Sequence, residues 1–121
     1  MSLVADGEYG PGEREAAAAA YAAVGITAEG VPSEDFGGLS PAVLDAASER
    51  VLAALDGGGT VYLHCRAGWQ RSVVVAAAVL GRRRGGTPEQ ALDVVLAHRR
   101  GACPLPHQVE DLRRWWAAGT A

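Results

Sequence analysis

Cys65 and Arg71, six positions apart, are the pair of residues in this chain best suited to chemistry. They lie in the run His64-Cys65-Arg66-Ala67-Gly68-Trp69-Gln70-Arg71-Ser72. A thiol becomes a strong nucleophile only once ionised, and a helix N-terminus with cationic groups nearby can lower its pKa from about 8.5 to roughly 3.5–7.5. Arginine adds a planar fork that grips two oxygens of an anion at once, which lysine cannot do. Gly68 lets the intervening backbone curl, so that its amides can form a nest of donors for phosphate oxygens. The chemistry in view is a thiolate held beneath a phosphate.

The flanking sequence supplies elements that would position this run. An apolar stretch, Val61-Tyr62-Leu63, precedes it and a longer one, Val73 to Leu80, follows. The pattern predicts a strand over Thr60–His64 and a helix over Ser72–Arg84, apolar on every side in its first half and therefore buried. Upstream, alanine-dense Glu13–Val24 reads as a helix ended by Gly25, and Ile26–Val31 as a short strand. Pro32–Gly38 is a loop bearing Ser33, Glu34 and Asp35. Ser40-Pro41 gives an N-cap and a first-turn proline to a helix whose apolar face is Val43, Leu44, Ala47, Val51 and Leu55. Downstream, Thr87-Pro88-Glu89-Gln90 is a capping box opening a helix to about Arg99, and a last helix runs from Pro106 to about Ala117. Met1–Gly12 is polar and Gly-rich and is expected to be loose or irregular. Alternating helices and strands imply an α/β layer structure, and residues 1–121 a single domain.

Composition narrows the function classes. Apolar residues make up 49% of the 121, but alanine dominates them and there is one isoleucine and one phenylalanine, so the core is modest in volume. All 11 basic residues are arginine, a bias of the kind a GC-rich bacterial genome produces. A net charge of −3 argues against general nucleic-acid binding. The charge is uneven: residues 1–60 hold ten acids and two arginines, residues 61–121 four acids and nine arginines, so the Cys65 loop lies in the basic half. Two cysteines make no disulfide framework, and the absence of an N-terminal leader or a long apolar span predicts a cytoplasmic protein away from membranes. No His, Cys or carboxylate cluster has metal-ligand spacing, so neither metal nor cofactor is expected.

With those residues in view, His64-Cys65-x-x-Gly68-x-x-Arg71-Ser72 resembles the signature of cysteine-dependent protein tyrosine phosphatases, particularly their compact dual-specificity branch. That family carries a general acid, usually an aspartate, some thirty residues upstream of its cysteine, and Asp35 in Pro32-Ser33-Glu34-Asp35-Phe36 stands thirty before Cys65. Thr87-Pro88-Glu89-Gln90-Ala91-Leu92 and the segment from Arg99-Arg100 to Gln108 also resemble family text, so the likeness runs from about Gly25 to Trp115. It implies a phosphomonoester hydrolase acting on a phosphoprotein or a small phosphoester. Cys65 would be the nucleophile, Asp35 the acid and then the base, and Ser72 the group that stabilises Cys65 as it departs. Arg71 and the backbone of Arg66, Ala67, Gly68, Trp69 and Gln70 would hold the phosphoryl oxygens, with His64 bracing the loop. The implied fold is a small, mostly parallel central sheet flanked by helices, with a reduced N-terminal sheet because residues 1–30 offer less strand than the family has. An alternative register puts Ser33 at the acid position and leaves Glu34 or Asp35 to reach inward.

Two other functions compete. A rhodanese-like sulfurtransferase also places a strand-end cysteine in a Cys-Arg-x-Gly loop, though such loops commonly close one residue sooner and have no use for an upstream acid. A phosphate-binding pseudophosphatase would keep the loop with its acid misplaced. Elsewhere the bland readings hold: Cys103 as an inert buried thiol, Gln108 as a surface residue, His98 and His107 as solvent-facing or structural. Trp115-Trp116 should put one indole in the core and one on the surface. Trp69 is equally suited to the loop rim or to packing beneath it.

Overall fold

The computed structural model describes residues 1–120. Three extended segments run parallel at its centre. β1 (Ser2–Val4) is the middle one, pairing on one side with β2 (Gly30–Ser33) in the register Ser2 to Gly30 and Val4 to Ser33. On its other side lies the segment ending at His64: His64 N–H donates to Met1 O (3.1 Å), Leu3 N–H to His64 O (2.9 Å), and the N-terminal ammonium to Tyr62 O (3.0 Å). Only His64 bridges to the sheet, opposite Ser2. The strand expected over Thr60–His64 is thus extended chain joined to the sheet at its end, because β1 is only three residues long. The expected loose segment needs correction as well. Residues 1–12 supply the middle strand and a 3-10 turn over Asp6–Glu8, anchored by Leu3, which is fully buried.

The helices follow from local sequence. α1 (Glu13–Ala23) owes its form to alanine propensity and ends in a Schellman turn: Gly25, at φ 79°, sends its N–H to Ala22 O while Ile26 N–H reaches Tyr21 O. It buries no residue. α2 (Pro41–Asp56) is capped by the Ser40 hydroxyl, which accepts from Val43 N–H, and it buries Leu44, Ala47 and Val51. α3 (Arg71–Arg84) lies at the heart of the molecule, packed against α2, α4 (Pro88–His98) and α5 (Pro106–Thr120). Its Val73, Val74 and Val75 are β-branched and poor helix formers. Burial makes good the deficit, at roughly 1.5–3 kcal/mol for each side chain taken fully from water. The capping box of α4 forms as expected, with Thr87 Oγ1 accepting from Gln90 N–H and Gln90 Oε1 from Thr87 N–H.

Both terminal tryptophans are half-buried against the core, so the expected division into one inside and one outside does not occur. Each ring packs inward while its N–H bonds at the rim, Trp115 to Asp45 and Trp116 to Gly86 O. The architecture is a small, mostly parallel sheet with helices packed on it, the fold class expected from sequence. Among the described residues no helix is long and apolar enough to cross a membrane.

Candidate active site

The Cys65 loop joins the end of the His64 segment to the first turn of α3. Gly68, at φ 72°, turns the backbone in the left-handed region that L side chains seldom adopt. The amides of Gly68, Gln70 and Ser72 consequently point at Cys65 Sγ, and the Ser72 hydroxyl lies 3.4 Å from it. Burial alone would push the Cys65 thiol up. The Ser72 hydroxyl and the three amides outweigh it and hold the pKa below the ordinary thiol value. His64 Nδ1 donates to Cys65 O (3.1 Å), bracing the start of the loop. The side chains of Arg66, Ala67 and Trp69 face solvent; Trp69 stands at the rim, 53% exposed, with its carbonyl accepting from Cys103 N–H. Beside the loop, a cleft of about 510 Å³ reaches Cys65 and Ser72 between Tyr21, Tyr62, Val95 and Arg99.

Arg71 is the most completely buried charge near the loop, only 1% exposed. Its Nη1 donates to Glu8 Oε2 (2.7 Å), Ser33 O (2.8 Å) and Leu3 O (3.2 Å), and its Nη2 to Glu8 Oε1 (2.9 Å) and Asp35 Oδ1 (3.3 Å). Among the described residues its Nε is the donor left without a partner, and Gln70 Oε1 is likewise buried and unpaired. The fork expected to grip two oxygens of an anion at once thus has both Nη groups engaged by protein, which leaves its Nε.

Glu8 was not legible as a site residue. It sits 63 positions from Arg71 in a Gly-rich run without periodicity, and its Oε2 also accepts from Ala5 N–H (2.7 Å). The Arg71 hydrogen bonds hold its carboxyl below the usual carboxylate range.

The loop after β2 distinguishes three residues. Ser33 is buried, with its hydroxyl on Leu3 O (3.1 Å); Glu34 points to solvent; Asp35 is half-buried and faces Arg71. Two readings of neighbouring residues need correction. Cys103 is exposed rather than buried, since it lies in the turn before α5. Gln108, expected on the surface, is fully buried and donates to Gly37 O. His98 bonds a carbonyl of its own helix, and His107 reaches Phe36 O.

No family model matches the chain. Over 62 residues, 51% of its length, it is 32% identical to dual specificity protein phosphatase 1B of Arabidopsis thaliana, and that match spans 37% of the relative. The chain thus spans little more than a third of the curated relative it matches. Its structure is similar to that of Tk-PTP in the active form, with a TM-score of 0.83 and 28% identity over 96% of this chain and 76% of that one. It also resembles PTPMT1, with a TM-score of 0.75 and 27% identity over 83% and 64% of the two chains. For human DUSP28 the TM-score is 0.70 and the identity 28%, over 80% and 66%.

Proposed function

We propose that the chain, a compact, dual-specificity-like member of the cysteine-dependent protein tyrosine phosphatase superfamily, hydrolyses phosphomonoesters through a cysteinyl-phosphate intermediate. The observation that carries this is the environment of Cys65, where the amides of Gly68, Gln70 and Ser72 and the start of α3 converge on a thiol of lowered pKa. Groups that stabilise a thiolate also stabilise phosphoryl oxygens brought against it.

In the first step Cys65 Sγ forms a bond to phosphorus as the bond to the leaving oxygen breaks. Arg71 would meet an equatorial oxygen through its free Nε, and a second oxygen would compete with Asp35 for Nη2. Asp35, acting as the carboxylic acid, gives its proton to the leaving oxygen. In the second step Asp35, now ionised, takes a proton from water as the water oxygen bonds to phosphorus. The P–S bond breaks, inorganic phosphate is released, and the Ser72 hydroxyl receives the returning thiolate. Asp35 is preferred over Ser33, whose hydroxyl is committed to β1, and over Glu34, which faces outward. The open cleft beside the loop suits phosphomonoesters as a class, carried on a protein or on a small molecule.

Turnover of p-nitrophenyl phosphate tests this. Wild type should hydrolyse it with inhibition by vanadate and Cys65→Ser should be inactive, while Asp35→Ala should lose about 10²–10⁴-fold on phenyl phosphate, whose leaving oxygen must be protonated. Undiminished turnover by Cys65→Ser would overturn the mechanism, and thiosulfate:cyanide transfer without phosphate release would mark a sulfurtransferase.

A further inference from the structure

The loop carrying Asp35 is held from the far end of the sequence. Three side chains in the first turns of α5 each take one of its backbone groups. His107 Nε2 donates to Phe36 O (2.9 Å), Gln108 Nε2 donates to Gly37 O (3.1 Å), and Asp111 Oδ2 accepts from Leu39 N–H (2.8 Å). Gln108 is fully buried, and its Oε1 accepts from Leu105 N–H (3.0 Å), so both ends of its amide are committed.

The loop needs outside support. Phe36 adopts φ 59°, a left-handed conformation strained for a non-glycine residue, and the residue is 63% exposed, so burial offsets little of that strain. Gly37 follows because a Cβ there would lie 2.7 Å from the Cβ of Glu34. Within the loop the backbone closes one turn, Gly37 N–H to Glu34 O (3.0 Å). Among the described residues, the other restraints on 36–39 are the buried Leu39 side chain and the three groups from α5.

We propose that His107, Gln108 and Asp111 are positioning residues for Asp35, so that α5 sets where the proton donor stands relative to the Cys65 loop. This rests on the reading of Asp35 as the general acid. A misplaced acid harms esters whose leaving oxygen must be protonated and spares those whose leaving group departs readily as an anion. A general loss of stability would depress both alike.

The test compares phenyl phosphate with p-nitrophenyl phosphate in the full chain. His107→Ala and Asp111→Ala should lose on the order of tenfold or more on phenyl phosphate and only a few-fold on p-nitrophenyl phosphate. Asp111→Asn, which keeps an acceptor for Leu39 N–H, should restore the phenyl phosphate rate. Hydrogen exchange at the Leu39 amide should quicken in Asp111→Ala and not in Asp111→Asn, while the pH profile of Cys65 alkylation stays unchanged in all variants. His107 is exposed, so its replacement keeps the test available if Gln108→Ala does not fold. Equal losses on the two esters, or unaltered Leu39 exchange in Asp111→Ala, would overturn the assignment while leaving the phosphatase reading intact. Absence of turnover of either ester by wild type would overturn the phosphatase reading, and the assignment with it.

Discussion

Replacing Glu8 by glutamine keeps the shape of the side chain and removes the charge that Arg71 is built around. In the wild type both carboxylate oxygens accept from the guanidinium, at 2.7 and 2.9 Å, with Arg71 1% and Glu8 12% exposed. Glutamine can accept only one of those bonds and turns an NH₂ toward the other donor. Breaking a buried pair from one side costs about 3–5 kcal/mol, because the remaining charge stays buried and unpaired. Here Ser33 O, Leu3 O and Asp35 still face Arg71, which brings the expected loss to about 2–4 kcal/mol. For a domain of this size that is a fall in Tm on the order of 10 °C, read by thermal unfolding at neutral pH.

The pH dependence has a definite sign. The folded-state pKa of Glu8 is lowered by its hydrogen bonds from Arg71. Its contribution is therefore fully present above the ordinary carboxylate range and is lost as pH falls through the lowered value. The gap in Tm between wild type and Glu8→Gln should close as the solution is acidified. Turnover should fall with stability at neutral pH, by roughly ten- to a hundredfold, because an unpinned Arg71 misplaces the group proposed to meet the phosphoryl oxygens. A Tm within about 2 °C of wild type, with a gap insensitive to pH, would refute the claim that Glu8 anchors Arg71.

Ser72→Ala removes the hydroxyl 3.4 Å from Cys65 Sγ, one of the groups that counter burial, so the pH profile of iodoacetamide inactivation should move upward. Superimposable profiles would show that the amides alone hold the thiolate. Gly81→Ala would set a Cβ into the ring of Trp116, where α3 and α5 meet, and should destabilise the protein by about 1–3 kcal/mol in denaturant unfolding. Unchanged stability there would mean that the helix contact is looser than its geometry.

The parts legible in the sequence are those fixed by local chemistry. Ser40-Pro41, the Thr87 capping box and Gly25 punctuate the helices through interactions a few residues long. The all-round apolar run from Val73 implied a buried helix, and the strand-loop-helix setting of Cys65 needed only its immediate neighbours. What escaped depends on partners far apart in sequence. Leu3 and Glu8 lie in a run too short and too polar for periodicity, yet Leu3 anchors the middle strand and Glu8 binds an arginine 63 residues away. Gln108 and Cys103 exchanged their expected burial because tertiary packing, not residue type, decides which side of the α5 start faces inward. The Thr60–His64 strand was overestimated for a related reason: apolar character marks a strand, but a ladder needs a partner of matching length.

The central claim is that Cys65 carries the phosphoryl group between two half-reactions. Acid quenching during turnover of p-nitrophenyl phosphate, followed by mass analysis of the peptide containing Cys65, tests it directly. One phosphoryl group should appear on Cys65 and be absent before substrate is added. Phosphate release by an enzyme whose Cys65 never carries phosphate, and whose Cys65→Ser variant turns over at the same rate, would contradict it.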